Sequence, residues 1–373
     1  MRRVAVIGAG VIGAALADRL VRSGAAVTVI DAGRPGAGTS GTSFAWLNSN
    51  EKLPRHYHDL TVRGMRAWAR LGEEFGGPGW YRPTGNLRWA VDERQRRVLA
   101  ERVERLRRWD YPAEELTARQ VADLEPALRT PADAFIAYFP AEGFVHGEQA
   151  VGALLTRARS AGADLMLGTG DVVLETGGGE LRCVRLPDGR RVHADVYVCC
   201  TGWRTTQLVQ PLGVHVPLVA GDAPGSAAPC LVVTTTGTTP VRRVVHTPTV
   251  NMRPAWDGGM RLESGEINDL VDLSTPPEEI DLLGRALLDR AERLLAGFTA
   301  SAARRQLCVR PLPIDGHPVV GVLPELGNAY LAVSHSGITL APVLAELIAA
   351  DVLGRSPEEL APYRPTRFGD RNG

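Results

Sequence analysis

Apolar residues along this chain first gather in a short run, Val4 to Ile7, which breaks at Gly8-Ala9-Gly10-Val11-Ile12-Gly13 and resumes as an Ala/Leu-rich stretch. A second apolar run, Val27 to Ile30, ends at Asp31. Short apolar runs bounded by glycine predict buried strands, and the longer stretch between them predicts a helix packed on both. The first thirty-one residues thus read as strand, glycine turn, helix and strand.

The middle of the chain changes period. Leu60, Met65, Trp68 and Leu71 mark a helix over Tyr57 to Phe75, which Gly76-Gly77-Pro78-Gly79 ends. A strand over Thr84 to Val91 is followed by a charged helix from about Glu93 to Arg108. Thr117 caps a short helix that stops before Pro126, and Ala134 to Phe139 reads as another strand. From Gly143 the α/β alternation returns, with a helix from about Glu148 to Ala161, a strand at Ala163 to Leu167 and a hairpin at Gly177-Gly178-Gly179. The apolar strand Ala194 to Cys200 then ends in Thr201-Gly202-Trp203. Short β-like runs at Leu231 to Thr235 and Val241 to Val245, a helix announced by Ser274 to Glu279, a strand at Asn328 to Val333 and a helix from about Ile338 to Leu353 complete the chain.

Composition narrows the partners. Forty-two basic residues balance 42 acidic ones among 373, so the chain carries no charge bias toward nucleic acid or an anionic membrane. The five cysteines, at 183, 199, 200, 230 and 308, form neither a CxxC pair nor a zinc spacing, so no metal is expected. No stretch is long and apolar enough for a membrane span, and the apolar run after Met1-Arg2-Arg3 is the glycine-turn unit itself rather than a signal peptide. A reduced, cytoplasmic protein is expected. Length alone does not set the oligomeric state.

The opening unit carries chemistry. In such a turn Gly8 permits the tight bend, Gly10 lets backbone approach a pyrophosphate, and Gly13 lets helix and strand close together. Val11 and Ile12 begin the helix whose N-terminus faces the phosphates. Asp31, with Ala32 beside it, stands where an acidic side chain accepts from ribose hydroxyls, which argues against a 2′-phosphate but leaves FAD and NAD both open. The small-residue stretch Ala32 to Ser43 is either a linker or a loop that touches the cofactor.

The layout, with the GAGVIG turn and Asp31, Gly41-Thr42-Ser43-Phe44-Ala45-Trp46, Thr201-Gly202-Trp203, Arg310-Pro311 with Asp315-Gly316, and His335-Ser336-Gly337-Ile338-Thr339-Leu340, resembles the FAD-dependent D-amino-acid oxidase, glycine oxidase and sarcosine oxidase family. The resemblance covers nearly the whole chain. It implies an α/β fold in which a Rossmann-like FAD-binding domain is assembled from discontinuous segments, residues 1–84, 143–215 and 305–373, with an inserted α+β substrate domain of residues 85–142 and 216–304. Ser40, Gly41, Thr42 and Ser43 then match the loop at the pyrophosphate and ring, and Thr201, Gly202 and Trp203 the turn near the adenosine. Gly337, Ile338, Thr339 and Leu340 match the segment at the pyrimidine edge of the flavin, where a helix dipole would favour negative charge on the reduced ring.

Arg310 matches the family arginine that pairs with a substrate carboxylate, a role suited to a planar guanidinium; the alternative is a structural arginine. His335 either lines the flavin or packs as a structural histidine. Cys308 stands where sarcosine oxidases carry a covalent flavin link, but non-covalent FAD and a buried cysteine are the preferred expectation. The resemblance thus implies oxidation of the C–N bond of a small amine or amino acid by hydride transfer to flavin N5, giving an imine, with oxygen or another electron acceptor restoring the flavin. An NAD-dependent dehydrogenase and a non-catalytic flavin-binding protein are the alternatives. Neither substrate nor acceptor is named by the sequence.

Overall fold

The computed structural model describes residues 1–222, 225–226, 228–299 and 301–369. The chain condenses into two compact units, the first made of Met1–Gly41, Gly147–Ala220 and Val309–Gly373, the second of Thr42–His146 and Gly221–Cys308. The sequence-based division carried the first piece on to residue 84, whereas the compact unit closes at Gly41.

The first unit is built on a six-stranded sheet in the order Val319–Leu323, Leu326–Val333, Val196–Cys199, Arg3–Ile7, Ala26–Asp31, Asp164–Leu167. Its strands run parallel except Val319–Leu323, which returns antiparallel to its neighbour. The central strand pairs Val6 with Val29 on one side and Val198 on the other. Continuous apolar strands of this kind belong inside a doubly covered parallel sheet, and Val4, Ala5, Val6 and Ile7 are buried as that requires. Helices Gly147–Ser160 and Gly337–Val352 both pack on helix Val11–Arg22. A forked pair ties helix Gly147–Ser160 to helix Val11–Arg22, because Arg157 donates to both oxygens of buried Asp18 at 2.7 and 2.6 Å. A three-stranded sheet of Val173–Gly177, Glu180–Arg185 and Arg191–Val192 contains the expected hairpin.

The second unit is built on an eight-stranded sheet in the order Ala302–Val309, Pro229–Thr235, Met260–Glu263, Asn251–Pro254, Val244–His246, Asn86–Ala90, Phe135–Phe139, Glu114–Leu116. Val244–His246 runs parallel to Asn86–Ala90, setting His246 level with Arg88 and Val244 level with Asn86. Leu87, Ile136, Val233, Met252 and Leu262 pack with Leu287 and Ala291 of helix Pro277–Leu294 in one core. A small sheet joins Trp46–Leu47, Gly143–Val145 and Tyr81–Arg82.

The helices follow their local signals. Asp92 accepts from the Gln95 N–H at 2.9 Å to start Glu93–Arg108, and Thr117 with Gln120 forms a capping box on Ala118–Leu124. The stretch after Asp31, read as either linker or loop, winds into a helical turn over Thr39–Thr42. The β-run expected at 241–245 shortens to Val244–His246, because the Arg242 N–H turns to the Glu125 carboxylate and the Arg243 guanidinium reaches the Leu124 carbonyl. Among the described residues no helix is long and apolar enough to cross a membrane.

Candidate cofactor and substrate sites

The glycine turn is held by backbone geometry that admits no other residue. Gly8 has φ 103°, and a Cβ there would come within 2.6 Å of the Cys200 carbonyl oxygen. A Cβ on Gly13 would approach the Gly8 carbonyl oxygen to 1.9 Å. The end of strand Val196–Cys199 therefore lies against the turn, with the Cys200 N–H donating to the Ile7 carbonyl at 2.7 Å. Asp31 closes the turn from the other side, its carboxylate accepting from the Ala9 N–H at 2.6 Å and the Gly33 N–H at 2.8 Å. Ala32 follows, its carbonyl accepting from the Gly170 N–H.

Ser40 lies at the start of the first helix, where its hydroxyl accepts the Val11 N–H at 2.9 Å. The preceding Thr39 donates its hydroxyl to the Val309 carbonyl at 2.5 Å, so the same turn meets the strand end from which Arg310 leaves. Gly337, first residue of the last helix, comes against Ile12, since a Cβ there would stand 3.4 Å from the Ile12 side chain. Two helix N-termini thus converge. Both begin without a side-chain cap on Gly10 or Ser336, and neither carries an acidic residue in its first turn. The dipole of a helix N-terminus favours an anion. Ser334, 1% exposed at the end of strand Leu326–Val333, has a hydroxyl with no hydrogen-bond partner among the described residues. Close-approach glycines, an acidic strand end, two helix N-termini free of acidic residues in their first turns and a buried unsatisfied hydroxyl together fit an adenine dinucleotide.

Gly8, Gly10, Val11, Ile12, Gly13, Asp31, Ala32, Ser40, Gly41, Thr201, Gly202, Trp203, Arg310, His335, Gly337, Ile338, Thr339 and Leu340 all fall in the first unit. Arg310 and His335 are half-buried, Thr339 and Leu340 buried. Thr201 shares a hydroxyl contact of 3.0 Å with Thr205, and the Arg204 guanidinium lies 5.3 Å from the Trp203 ring. Thr42 and Ser43 belong to the second unit, where the Ser43 carbonyl accepts from Arg261.

The second unit holds side chains that the sequence did not single out. Arg253 is fully buried, with Phe144 4.8 Å and Phe44 5.5 Å from its guanidinium carbon. Its Nε donates to the Phe44 carbonyl, Nη1 donates to the Pro254 carbonyl at 2.7 Å, and Nη2 has no partner among the described residues. Burial, and then Arg261, press its pKa well below the usual arginine range. His146 lies edge-on to Phe144 and Trp256, each 5.2 Å away, and burial followed by Arg253 pulls its pKa down to about 3.

Glu142, also fully buried, gathers six donors: Trp46 Nε1, Ser49 N, Asn50 N, Asn50 Nδ2, Asn86 Nδ2 and Tyr111 Oη. Burial raises its pKa, while the Ser49 and Asn50 donors pull it back down. Asn86 turns its carbonyl to His246 Nδ1 at 2.8 Å, and the His246 ring lies 4.1 Å from Trp46. Among the described residues no group of three or more His, Cys, Asp or Glu could hold a metal ion.

Comparison with known proteins decides which dinucleotide this is, because the family model of FAD dependent oxidoreductases matches residues 3–350. The chain belongs to the FAD-dependent oxidoreductase family. The chain is thus an FAD-dependent flavoprotein oxidoreductase. The chain is 27% identical to an uncharacterized oxidoreductase of Bacillus subtilis, which covers 98% of it and 99% of the relative. It is 26% identical to the glycine oxidase of Geobacillus kaustophilus, with 98% and 96% covered, and 26% identical to a D-amino acid dehydrogenase of Methylobacterium radiotolerans, with 95% and 96% covered. The crystal structure of that glycine oxidase superposes with a TM-score of 0.83 at 22% identity, over 98% of this chain and 99% of the other. Iminodiacetate oxidase from Chelativorans sp. BNC1 superposes with a TM-score of 0.81 at 24% identity, over 97% and 99%. These likenesses bear out the expected α/β fold with a Rossmann-like FAD-binding domain.

Proposed function

We propose that this FAD-dependent oxidoreductase oxidises the C–N bond of a small amino acid or secondary amine to an imine, which water then hydrolyses. The observation that carries the reading is the pair of helix N-termini meeting at Ile12 and Gly337, neither with an acidic residue in its first turn, beside the Thr39 turn that bonds to the peptide before Arg310. One helix end receives the pyrophosphate, and the other offsets negative charge at the flavin pyrimidine edge. When bound, FAD supplies the hydride acceptor at N5. The chain supplies position.

Gly8, Gly10, Val11, Gly13, Asp31, Ala32, Ser40 and Gly41 hold the phosphates and ribose in this reading, with Ile12 packing beneath the last helix. Thr201, Gly202 and Trp203 flank the adenosine, and Ser43, Thr42 and the segment Gly337 to Leu340 border the ring. Arg310 takes the substrate carboxylate in a forked contact, with His335 beside the flavin. Cys308 packs at 1% exposure with Cys230 and Val232, which favours non-covalent FAD. The five cysteines stand unbridged, which suits the reducing cytoplasm. Oxygen or another acceptor takes the electrons.

Product analysis tests the reading. Glycine, sarcosine, D-alanine and D-proline are incubated with the enzyme and an artificial acceptor, and the released amine and carbonyl compounds are quantified. At least one yields the carbonyl product of C–N cleavage; reduction of the acceptor without loss of the C–N bond would contradict the proposal.

A further inference from the structure

A cavity of about 380 Å³, a size that takes a small molecule, lies wholly within the second unit. Its walls include Pro83, Asp123, Leu124, Tyr138, Arg242 and Arg243, none of which belongs to the set assigned above to FAD or substrate. Pro83, Asp123 and Arg242 are exposed, so the cavity opens to solvent. Buried bonds fasten the wall. Glu125, 0% exposed, accepts from the Arg242 N–H at 3.0 Å and from Arg243 Nη1 at 3.1 Å, and Nη1 also donates to the Leu124 carbonyl at 2.9 Å. The end of helix Ala118–Leu124 is thereby tied to the chain that enters strand Val244–His246. Tyr138, from strand Phe135–Phe139, is pressed against Gly85, where a Cβ would stand 2.5 Å from its hydroxyl.

The charges around this cavity fall into two groups. Arg243 is already answered by Glu125. The Arg242 guanidinium and the Asp123 carboxylate, by contrast, make no hydrogen bond or ion pair among the described residues, with each other or with any neighbour. The four charges sum to zero, so the cavity exerts no net pull on a phosphate or another bare anion. What it offers is one free charge of each sign. A ligand that carries both signs answers that arrangement, and an α-amino acid near neutral pH holds its carboxylate and ammonium on a single carbon. Pro83, Leu124 and the Tyr138 ring add apolar surface for a side chain.

We infer that this cavity binds a free α-amino acid with an apolar side chain as its zwitterion, the carboxylate on Arg242 and the ammonium on Asp123. The planar guanidinium suits a forked contact with the carboxylate, and the Asp123 oxygens accept from the ammonium. Leu124 and Pro83 select for an apolar side chain over a charged one, which would be stripped of water there. The site takes the charged form of the amino acid and does not rest on the amine-oxidation reading above.

The test uses the full-length, FAD-loaded protein with 3-fluorotyrosine at its tyrosines, kept anaerobic so that any turnover stops once the flavin is reduced. The Tyr138 fluorine signal is assigned by its disappearance in Tyr138→Phe. L-Valine and D-valine are the probes, and acetate, methylammonium and inorganic phosphate are each titrated alone. At least one valine should shift the Tyr138 signal to saturation. Acetate and methylammonium, each half of the zwitterion, should need about tenfold higher concentrations or more, the worth of one charge-assisted contact, and phosphate should leave the signal in place. Arg242→Met and Asp123→Asn should each raise the half-saturating valine concentration about tenfold or more. A Tyr138 signal that neither valine moves overturns the proposal. So does acetate or phosphate acting as strongly as valine, which would make the cavity a plain anion site, and so does a valine response unchanged in Asp123→Asn. Both substituted side chains are exposed, and the wild-type titrations decide even if neither variant folds.

Discussion

The Thr39 hydroxyl donates to the Val309 carbonyl at 2.5 Å, fastening the turn after Asp31 to the peptide immediately before Arg310. Ser40, the next residue of that turn, accepts the Val11 N–H at 2.9 Å. One short segment therefore registers a proposed substrate residue against the start of the first helix. Thr39→Val keeps the shape and removes the bond. It should cost about 1 kcal/mol in denaturant unfolding and raise KM for a carboxylated substrate more than it lowers kcat. Unchanged KM at reduced stability would make the bond purely structural.

Gly13→Ala tests the turn itself. The added methyl would meet the Gly8 carbonyl oxygen at 1.9 Å, a clash with backbone that no side-chain movement relieves. The variant should purify with little or no yellow flavin, measured as visible absorbance per mole of protein. Full flavin content would contradict the assignment of this turn to the cofactor.

Glu142 separates charge from shape. Glu142→Leu strands six buried donors and should cost at least ~4 kcal/mol, since each unsatisfied buried group costs roughly 1–3 kcal/mol. Glu142→Gln keeps one acceptor oxygen and should cost about half as much. Urea unfolding of the two variants gives the comparison, and equal losses would contradict it.

Acid should weaken the fold through its buried histidines. His146 and His246, 7% and 3% exposed, are held near pKa 3 against about 6.5 in an unfolded chain. Above pH ~6.5 folded and unfolded chains are both neutral at these sites. As pH falls below that, the unfolded chain takes up protons that the folded chain refuses, so stability drops until the folded pKa is reached. At pH 5 each histidine costs about 2 kcal/mol relative to pH 7. Glu142 works in the opposite sense, its pKa being raised by burial, so the clean readout is a difference. The loss between pH 7 and pH 5 should shrink by about 2 kcal/mol in His146→Phe.

What the sequence made legible was local. Gly8, Gly10, Gly13 and Asp31 lie within one strand-turn-helix-strand unit, where spacing alone implies the geometry, and the capping signal at Thr117 acts within three residues. Strand Ala302–Val309 escaped because its exposed Arg304 and half-exposed Arg305 and Gln306 break the apolar alternation of an inner strand. Glu142 escaped for a different reason. Its donors come from Trp46, Ser49, Asn50, Asn86 and Tyr111, and His246 joins them only through the pairing of two strands 160 residues apart. No local pattern encodes such a meeting. Arg253 was hidden likewise, since an arginine in a short β-like run reads as solvated until the fold buries it between Phe44 and Phe144.

Anaerobic mixing of the purified, FAD-loaded enzyme with glycine, sarcosine, D-alanine and D-proline, followed by the visible flavin absorbance, tests the central claim most directly. At least one should bleach the flavin, and Arg310→Ala should slow that bleaching by about a hundredfold or more, as expected for losing a forked charge-assisted contact. A flavin that stays oxidised with every amine, in a protein that retains its full complement of FAD, would contradict it.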